Sequence, residues 1–185
     1  MREKVLREME SRMKKAIEII KKDMASVRTG RAHPAILEDI KVDYYGTPVP
    51  INQIATISAP EARLLVIQPW DKSALKEIEK AILRSPLGLT PQNDGNVIRV
   101  SIPPLTEERR KELIRLVRKK AEEGRITIRN IRRDVMEELK EKKENGEIPE
   151  DDYFRLSKEV QEITDKYIEK VEEILKLKEE EIMEG

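Results

Sequence analysis

The sequence predicts an α+β protein: an antiparallel three-helix bundle with a small α/β domain, mostly β, inserted between its first and second helices. Three observations carry this. Three long stretches repeat apolar residues every three or four positions, the period of an amphipathic helix. The stretch between the first two changes to alternation and holds seven of the ten prolines, from Pro34 to Pro91. Charged residues make up 40% of the 185-residue chain and aromatic residues 3%, which suits long exposed helices and argues against a large aromatic core.

In the first stretch Leu6, Met9, Met13, Ile17, Ile20, Met24 and Val27 form the apolar stripe. Gly30 is the expected C-terminal stop, with Pro34 beyond it. The middle segment opens with a strand in which Ile40, Val42 and Tyr44 alternate, followed by a turn at Tyr45-Gly46-Thr47-Pro48. Further strands are expected at 53–58 and 63–68. A short helix capped by Asp71 or Ser73 would bury Leu75, Ile78 and Ile82. A loop over 85–96 leads to a last strand with Ile98, Val100 and Ile102.

Thr106 is the expected N-cap of the second long helix, with Glu107 and Glu108 in its first turn, where the helix dipole favours negative charge. Leu113, Val117, Ala121, Gly124, Ile128, Ile131, Val135 and Leu139 keep the helical period in register. One helix to about Lys143 is therefore expected, although Gly124 and the β-branched Ile126, Thr127 and Ile128 are poor helix formers. Asn145-Gly146 marks a turn, and Pro149 suits the first turn of a third helix. Its stripe is Tyr153, Leu156, Val160, Ile163, Tyr167, Val171 and Ile174. No stripe is stable alone, so the three are expected to bury one another.

The expected domains are residues 1–30 with 105–185 for the bundle and 31–104 for the insert. Two short crossings join them, at Gly30-Arg31 and at Pro103-Pro104-Leu105-Thr106. These are the expected hinge, and two such links predict relative domain motion.

The chain is formally neutral, but its charge is segregated. Residues 1–30 carry 9 basic and 5 acidic side chains, residues 105–134 carry 11 and 6, and residues 135–185 carry 9 and 18. Packing these segments together predicts one basic and one acidic side. There is no cysteine, hence no disulfide, which is compatible with a reducing cytosol. The N-terminus is charged without an apolar signal core, and no apolar run approaches a membrane span, so a cytoplasmic location is expected.

No catalytic constellation is visible. His33 is the only histidine and has no nucleophile motif around it, so a structural or solvated role is expected. No glycine-rich phosphate loop is present, and the run Glu150-Asp151-Asp152 is explained by a helix N-terminus. An enzyme, a metal site and a cofactor are not expected. Trp70 reads as a packing residue before a helix, and Asn93-Asp94-Gly95-Asn96 as a turn.

The outstanding feature is a stripe of arginines. Arg125, Arg129, Arg132 and Arg133 fall at i, i+4, i+7 and i+8, on one side of a helix. The planar guanidinium with its forked donors is the side chain best suited to phosphate. The rival is a solvated face tied by local pairs. Glu122 and Glu137 can pair the ends of the stripe, but Arg129 has no acid three or four positions away. Its i±4 neighbours are Arg125 and Arg133, and like charges so placed are mildly destabilising. Their accumulation points to an anionic partner, with Arg28 and Arg31 adding to the basic inventory. Few aromatics and no base-reading motif point to the shape and backbone of structured RNA. The alternative is a helical-bundle adaptor that binds protein partners without RNA.

Several motifs in order carry a resemblance: Val27-Arg28-Thr29-Gly30-Arg31-Ala32, Tyr44-Tyr45-Gly46, Asn52-Gln53, Pro69-Trp70-Asp71-Lys72, Asn93-Asp94-Gly95, the run from Pro103 to Leu113, and Arg129-Asn130-Ile131-Arg132-Arg133-Asp134. Over essentially its whole length the chain resembles bacterial ribosome recycling factors, departing at Ile126-Thr127, where the family often has Val-Ala. The resemblance implies a two-domain, L-shaped monomer with an outline like transfer RNA. It implies binding to the post-termination 70S ribosome at the subunit interface. There, elongation factor G and GTP drive subunit separation and release of messenger RNA and deacylated transfer RNA. It implies that Arg129, Arg132 and Arg133 grip large-subunit ribosomal RNA, and that the small domain is pushed by the elongation factor about the Gly30 and Pro104 links.

Overall fold

The computed structural model describes residues 2–184, with side chains described from Lys4 onward. Three helices are long: α1 (Arg2–Ala25), α4 (Glu107–Glu144) and α5 (Glu150–Glu184). Between α1 and α4 in the chain lie shorter elements. These are α2 (Ala35–Glu38), β1 (Lys41–Tyr44), β2 (Thr47–Pro50), β3 (Ala55–Glu61), β4 (Leu64–Pro69), α3 (Leu75–Arg84), β5 (Pro91–Asn93) and β6 (Ile98–Ser101). The chain divides into two compact units. One ends at Arg28 and resumes at Glu107; the other is Thr29–Thr106.

In the first unit α4 packs on both α1 and α5, and α1 packs on α5. The buried face of α4 is Leu113, Val117, Ala121, Gly124, Ile128, Ile131, Val135 and Leu139, and the helix passes unbroken through Gly124. The absence of a side chain there has a use. A Cβ on Gly124 would stand 2.8 Å from Ile20 Cγ1 and closer still to Cδ1. Glycine thus trades helix propensity for a close approach of α1 to α4.

The α4–α5 turn is a Schellman motif. Gly146 has φ +73°, its N–H donates to the Lys143 carbonyl at 3.1 Å, and the Glu147 N–H donates to the Lys142 carbonyl at 2.9 Å. On α5 the apolar stripe is shifted from expectation. Thr164 and Leu175 are buried, whereas Tyr153, Ile163 and Ile174 are half-buried. Burial of Thr164 is tolerated because its hydroxyl donates back to the Val160 carbonyl at 2.7 Å. On α1, Val5 and Ala16 join the core and Leu6 is half-buried.

The helix α1 ends at Ala25, short of the expected stop at Gly30. The Ser26 hydroxyl donates to the Asp23 carbonyl at 2.6 Å, and the Val27 N–H reaches Met24 at 3.1 Å, a tightened turn that closes the helix. Gly30, at φ +81°, does other work. A Cβ there would lie 2.8 Å from Leu105 Cγ, so Leu105 sits against bare backbone. Residues 29–30 and 105–106 belong to the small unit, where Thr29 is buried.

The small unit has a four-stranded antiparallel sheet, in the order β3-β4-β6-β5, and a separate β1–β2 hairpin. Val42, Leu65, Ile67, Ile98 and Val100 alternate inward and meet Leu75, Ile78 and Ile82 from α3. Sequence reading missed β2 and β5. Proline obscures both, since Thr47-Pro48-Val49-Pro50 and Pro91 read as turn or loop although they pair in register with β1 and β6. Asp71 caps the turn before α3, its carboxylate accepting from the Ser73 N–H at 3.0 Å.

Candidate nucleic-acid interface

The arginine stripe lies on α4, starting about 27 Å from its first residue at 1.5 Å per residue. Its members divide by environment. Arg125 and Arg132 are half-buried along the seam with α5, while Arg129 and Arg133 are exposed. Arg125 donates from Nε to Glu172 of α5 and from Nη1 to Glu122 at 2.7 Å, with its side chain only 18% exposed. The bond to Glu172 raises the guanidinium pKa, and the same bond lowers that of the Glu172 carboxyl. Arg132 donates from Nε to Gln161 Oε1 at 2.8 Å, and Gln161 in turn donates to Asp165. Arg133 donates to the Asn130 side chain.

Two expectations about pairing are corrected. Arg129 does have an acidic neighbour. Glu122, two turns earlier, lies 3.6 Å from its Nη1. Two turns bring a residue back to the same face, which a search at three or four positions overlooks. Glu137, four positions after Arg133 and able to pair with it, gives way to Asn130, three positions before it on the same strip of helix. The expected separation into a basic and an acidic side is also blunted. Acids of α5 meet bases of α4 directly, Glu172 on Arg125 and Glu179 on Arg118 at 2.8 Å. On the opposite flank Arg12 of α1 holds Asp134 at 3.0 Å. The partners Glu172, Gln161 and Glu179 left no local signal in the sequence, because they are 29 to 61 positions away.

Arg28 is exposed at the end of the first unit's N-terminal segment, outside any helix, and Arg31 lies near the start of the small unit. Neither belongs to the helix that carries the stripe. Pro103 and Pro104 follow β6 outside any helix or strand, with the Ile102 N–H donating to the Arg63 carbonyl at 2.8 Å. The Ala32 N–H donates to Ala62 at 2.7 Å, so both ends of the small unit leave beside its β3–β4 turn.

At the other end of β4 three of the matched motifs meet. Tyr45 donates its hydroxyl to Asp71 at 3.0 Å, and Lys72 donates to Asn96 at 2.8 Å. Asp94 accepts from the N–H groups of Asn96 and Val97, which, with Arg99, lower its pKa to about 2. Trp70 is not the packing residue expected. It is 69% exposed, and Tyr45 78%. Its backbone N–H holds Ile54 while the side chain points away from the core, since the inward positions of the strand end at Pro69. His33 is exposed, its Nδ1 accepting from the Ala35 N–H at 3.1 Å, a local turn cap. Among the described residues no cluster of His, Asp and Glu could hold a metal ion, and no helix is long and apolar enough to cross a membrane.

A bundle whose chain is interrupted by an antiparallel domain, and whose middle helix presents a row of forked cations, defines a helical protein with a face suited to a polyanion. The chain belongs to the ribosome recycling factor family, whose model matches residues 20–183. It is 59% identical over 179 residues to the ribosome-recycling factor of Carboxydothermus hydrogenoformans, covering 97% of each chain. It is 55% identical over 184 residues to that of Halalkalibacterium halodurans, covering all of both. Among solved structures it is similar to a ribosome recycling factor in solution, with a TM-score of 0.71, 48% identity, and coverage of 100% of this chain and 98% of that one. A second is the Thermus thermophilus ribosome recycling factor, described together with Escherichia coli elongation factor G bound to the Escherichia coli post-termination complex. There the TM-score is 0.62, with 49% identity and 98% of each chain covered.

Proposed function

We propose that this chain binds the post-termination ribosome at the subunit interface. With elongation factor G and GTP it promotes subunit dissociation and release of messenger RNA and deacylated transfer RNA. It acts in the cytoplasm, as a monomer, and contributes no catalytic step; the hydrolysis belongs to the elongation factor. Arg129, Arg132 and Arg133 contact large-subunit ribosomal RNA, with Arg125 bracing them and Arg28 secondary. The small unit turns about Gly30, Arg31 and residues 103–106 as the elongation factor acts on it. Its far end, with Tyr45 and Trp70 exposed, has the aromatic character of a protein contact.

The observation that carries the RNA assignment is the exposure of Arg129 and Arg133 beside a pre-oriented Arg132 on one helix face. The test is co-sedimentation of Arg132→Ala with large subunits across salt. Loss of one phosphate contact should weaken binding and flatten the dependence of log affinity on log salt by roughly 0.7–0.9. Unchanged affinity and slope with the fold intact would leave the adaptor reading standing.

A further inference from the structure

One acid interrupts the cationic face of α4. At 3.6 residues per turn, Arg115, Arg118, Arg125, Arg129, Arg133 and Lys140 fall within an arc of roughly 80°. Between Arg115 and Lys140, Glu122 is the one acidic position on that arc. Its two carboxylate oxygens reach different arginines, Oε2 to Arg125 at 2.7 Å and Oε1 to Arg129 at 3.6 Å. It thus occupies the place that a phosphate oxygen bridging those two side chains would take. Both it and Arg129 are open to solvent, at 50% and 58% exposure, so a ligand can reach the pair. Glu172 differs, because it holds Arg125 across the α4–α5 seam.

We infer that Glu122 is a built-in competitor for phosphate at Arg125 and Arg129, one that limits the affinity of the face for RNA and lets the bound protein leave. This rests on the RNA-binding reading above. A phosphate arriving at Arg129 meets a like charge within contact distance, and must displace the carboxylate or share the guanidinium with it. A factor that acts repeatedly gains from such a brake, since affinity differences among related complexes lie mostly in the dissociation rate.

The test uses the full chain with Glu122→Gln, which keeps the shape and helix propensity of the side chain and removes its charge. Binding to purified large subunits is measured at low and moderate salt, with dissociation rates. Glu122→Gln should bind about two- to fivefold more tightly at low salt, the range expected for one exposed pair, mainly through slower release. The gain should shrink when Arg129→Ala is combined with it, because one of the two guanidinium groups that Glu122 engages is then gone. Unchanged or weaker binding overturns the inference, weaker binding meaning that Glu122 only holds the arginines in position. The two readings fail separately. If Arg132→Ala weakens binding while Glu122→Gln does not tighten it, only the competitor role falls. If Arg132→Ala changes nothing, the RNA reading falls and takes this one with it.

Discussion

Replacing Gly124 with alanine sets two calculable effects against each other. In an isolated helix the change would stabilise α4 by about 1 kcal/mol, the usual difference between glycine and alanine in a helix interior. In this bundle the added methyl would stand 2.8 Å from Ile20 Cγ1 and nearer to Cδ1. Optimal carbon contacts lie at roughly 3.5–4.0 Å. Ile20 is buried, so its side chain has nowhere open to turn. Inserting a methyl into such a site costs about 1–3 kcal/mol, and overlap with two atoms puts this case at the upper end. The net effect is a loss of about 1–2 kcal/mol, or a fall in Tm of roughly 2–8 °C at 2–4 °C per kcal/mol. Thermal unfolding followed by far-UV circular dichroism measures it. Ile20→Val, which removes the nearest atom, should cost about 0.5–1.5 kcal/mol alone. In the double variant it should recover part of the Gly124→Ala penalty, a favourable coupling of at least about 0.5 kcal/mol. A Tm that rises for Gly124→Ala alone would show that α1 and α4 do not approach closely, and would refute the reasoning.

Two further predictions concern buried and depressed groups. Tyr167 is fully buried with no partner for its hydroxyl among the described residues, and burial, then Glu10, raises its pKa. Tyr167→Phe should leave urea stability unchanged or raise it by about 1 kcal/mol, and a loss beyond that would reveal a hydroxyl partner. Asp94, with a pKa near 2 set first by the Val97 and Asn96 N–H groups, lies below its ordinary value of 3.8. Its contribution to the stability of the small unit is therefore full above about pH 4 and lost as pH falls through about 2. An NMR titration of its carboxyl carbon should have its midpoint near 2, and a midpoint near 4 would mean that the β5–β6 turn does not hold it.

Much of the bundle was legible because its rule is local. All eight buried positions of α4 follow from one apolar period, and the arginine stripe is visible in the same period. The small unit was less legible. Prolines in β2 and β5 signal turns, and only pairing with β1 and β6 makes strands of them. Trp70 was misassigned for a related reason. A large aromatic beside a strand is usually core, but here the alternation places Pro69 inward and Trp70 outward.

By itself the sequence determined the helical periods, the position of the insert, the arginine face and the family, all properties carried by neighbouring residues. Tertiary structure alone decided which arginines are exposed and which are half-buried against α5. It turned Arg125 toward Glu172 and Arg132 toward Gln161, across the seam between α4 and α5 and 47 and 29 positions away in the chain. It also gave Gly124 its reason, since only the approach of Ile20 shows why a poor helix former belongs there. Ion pairing and steric fit depend on distances between chain segments, and a one-dimensional pattern does not contain those distances.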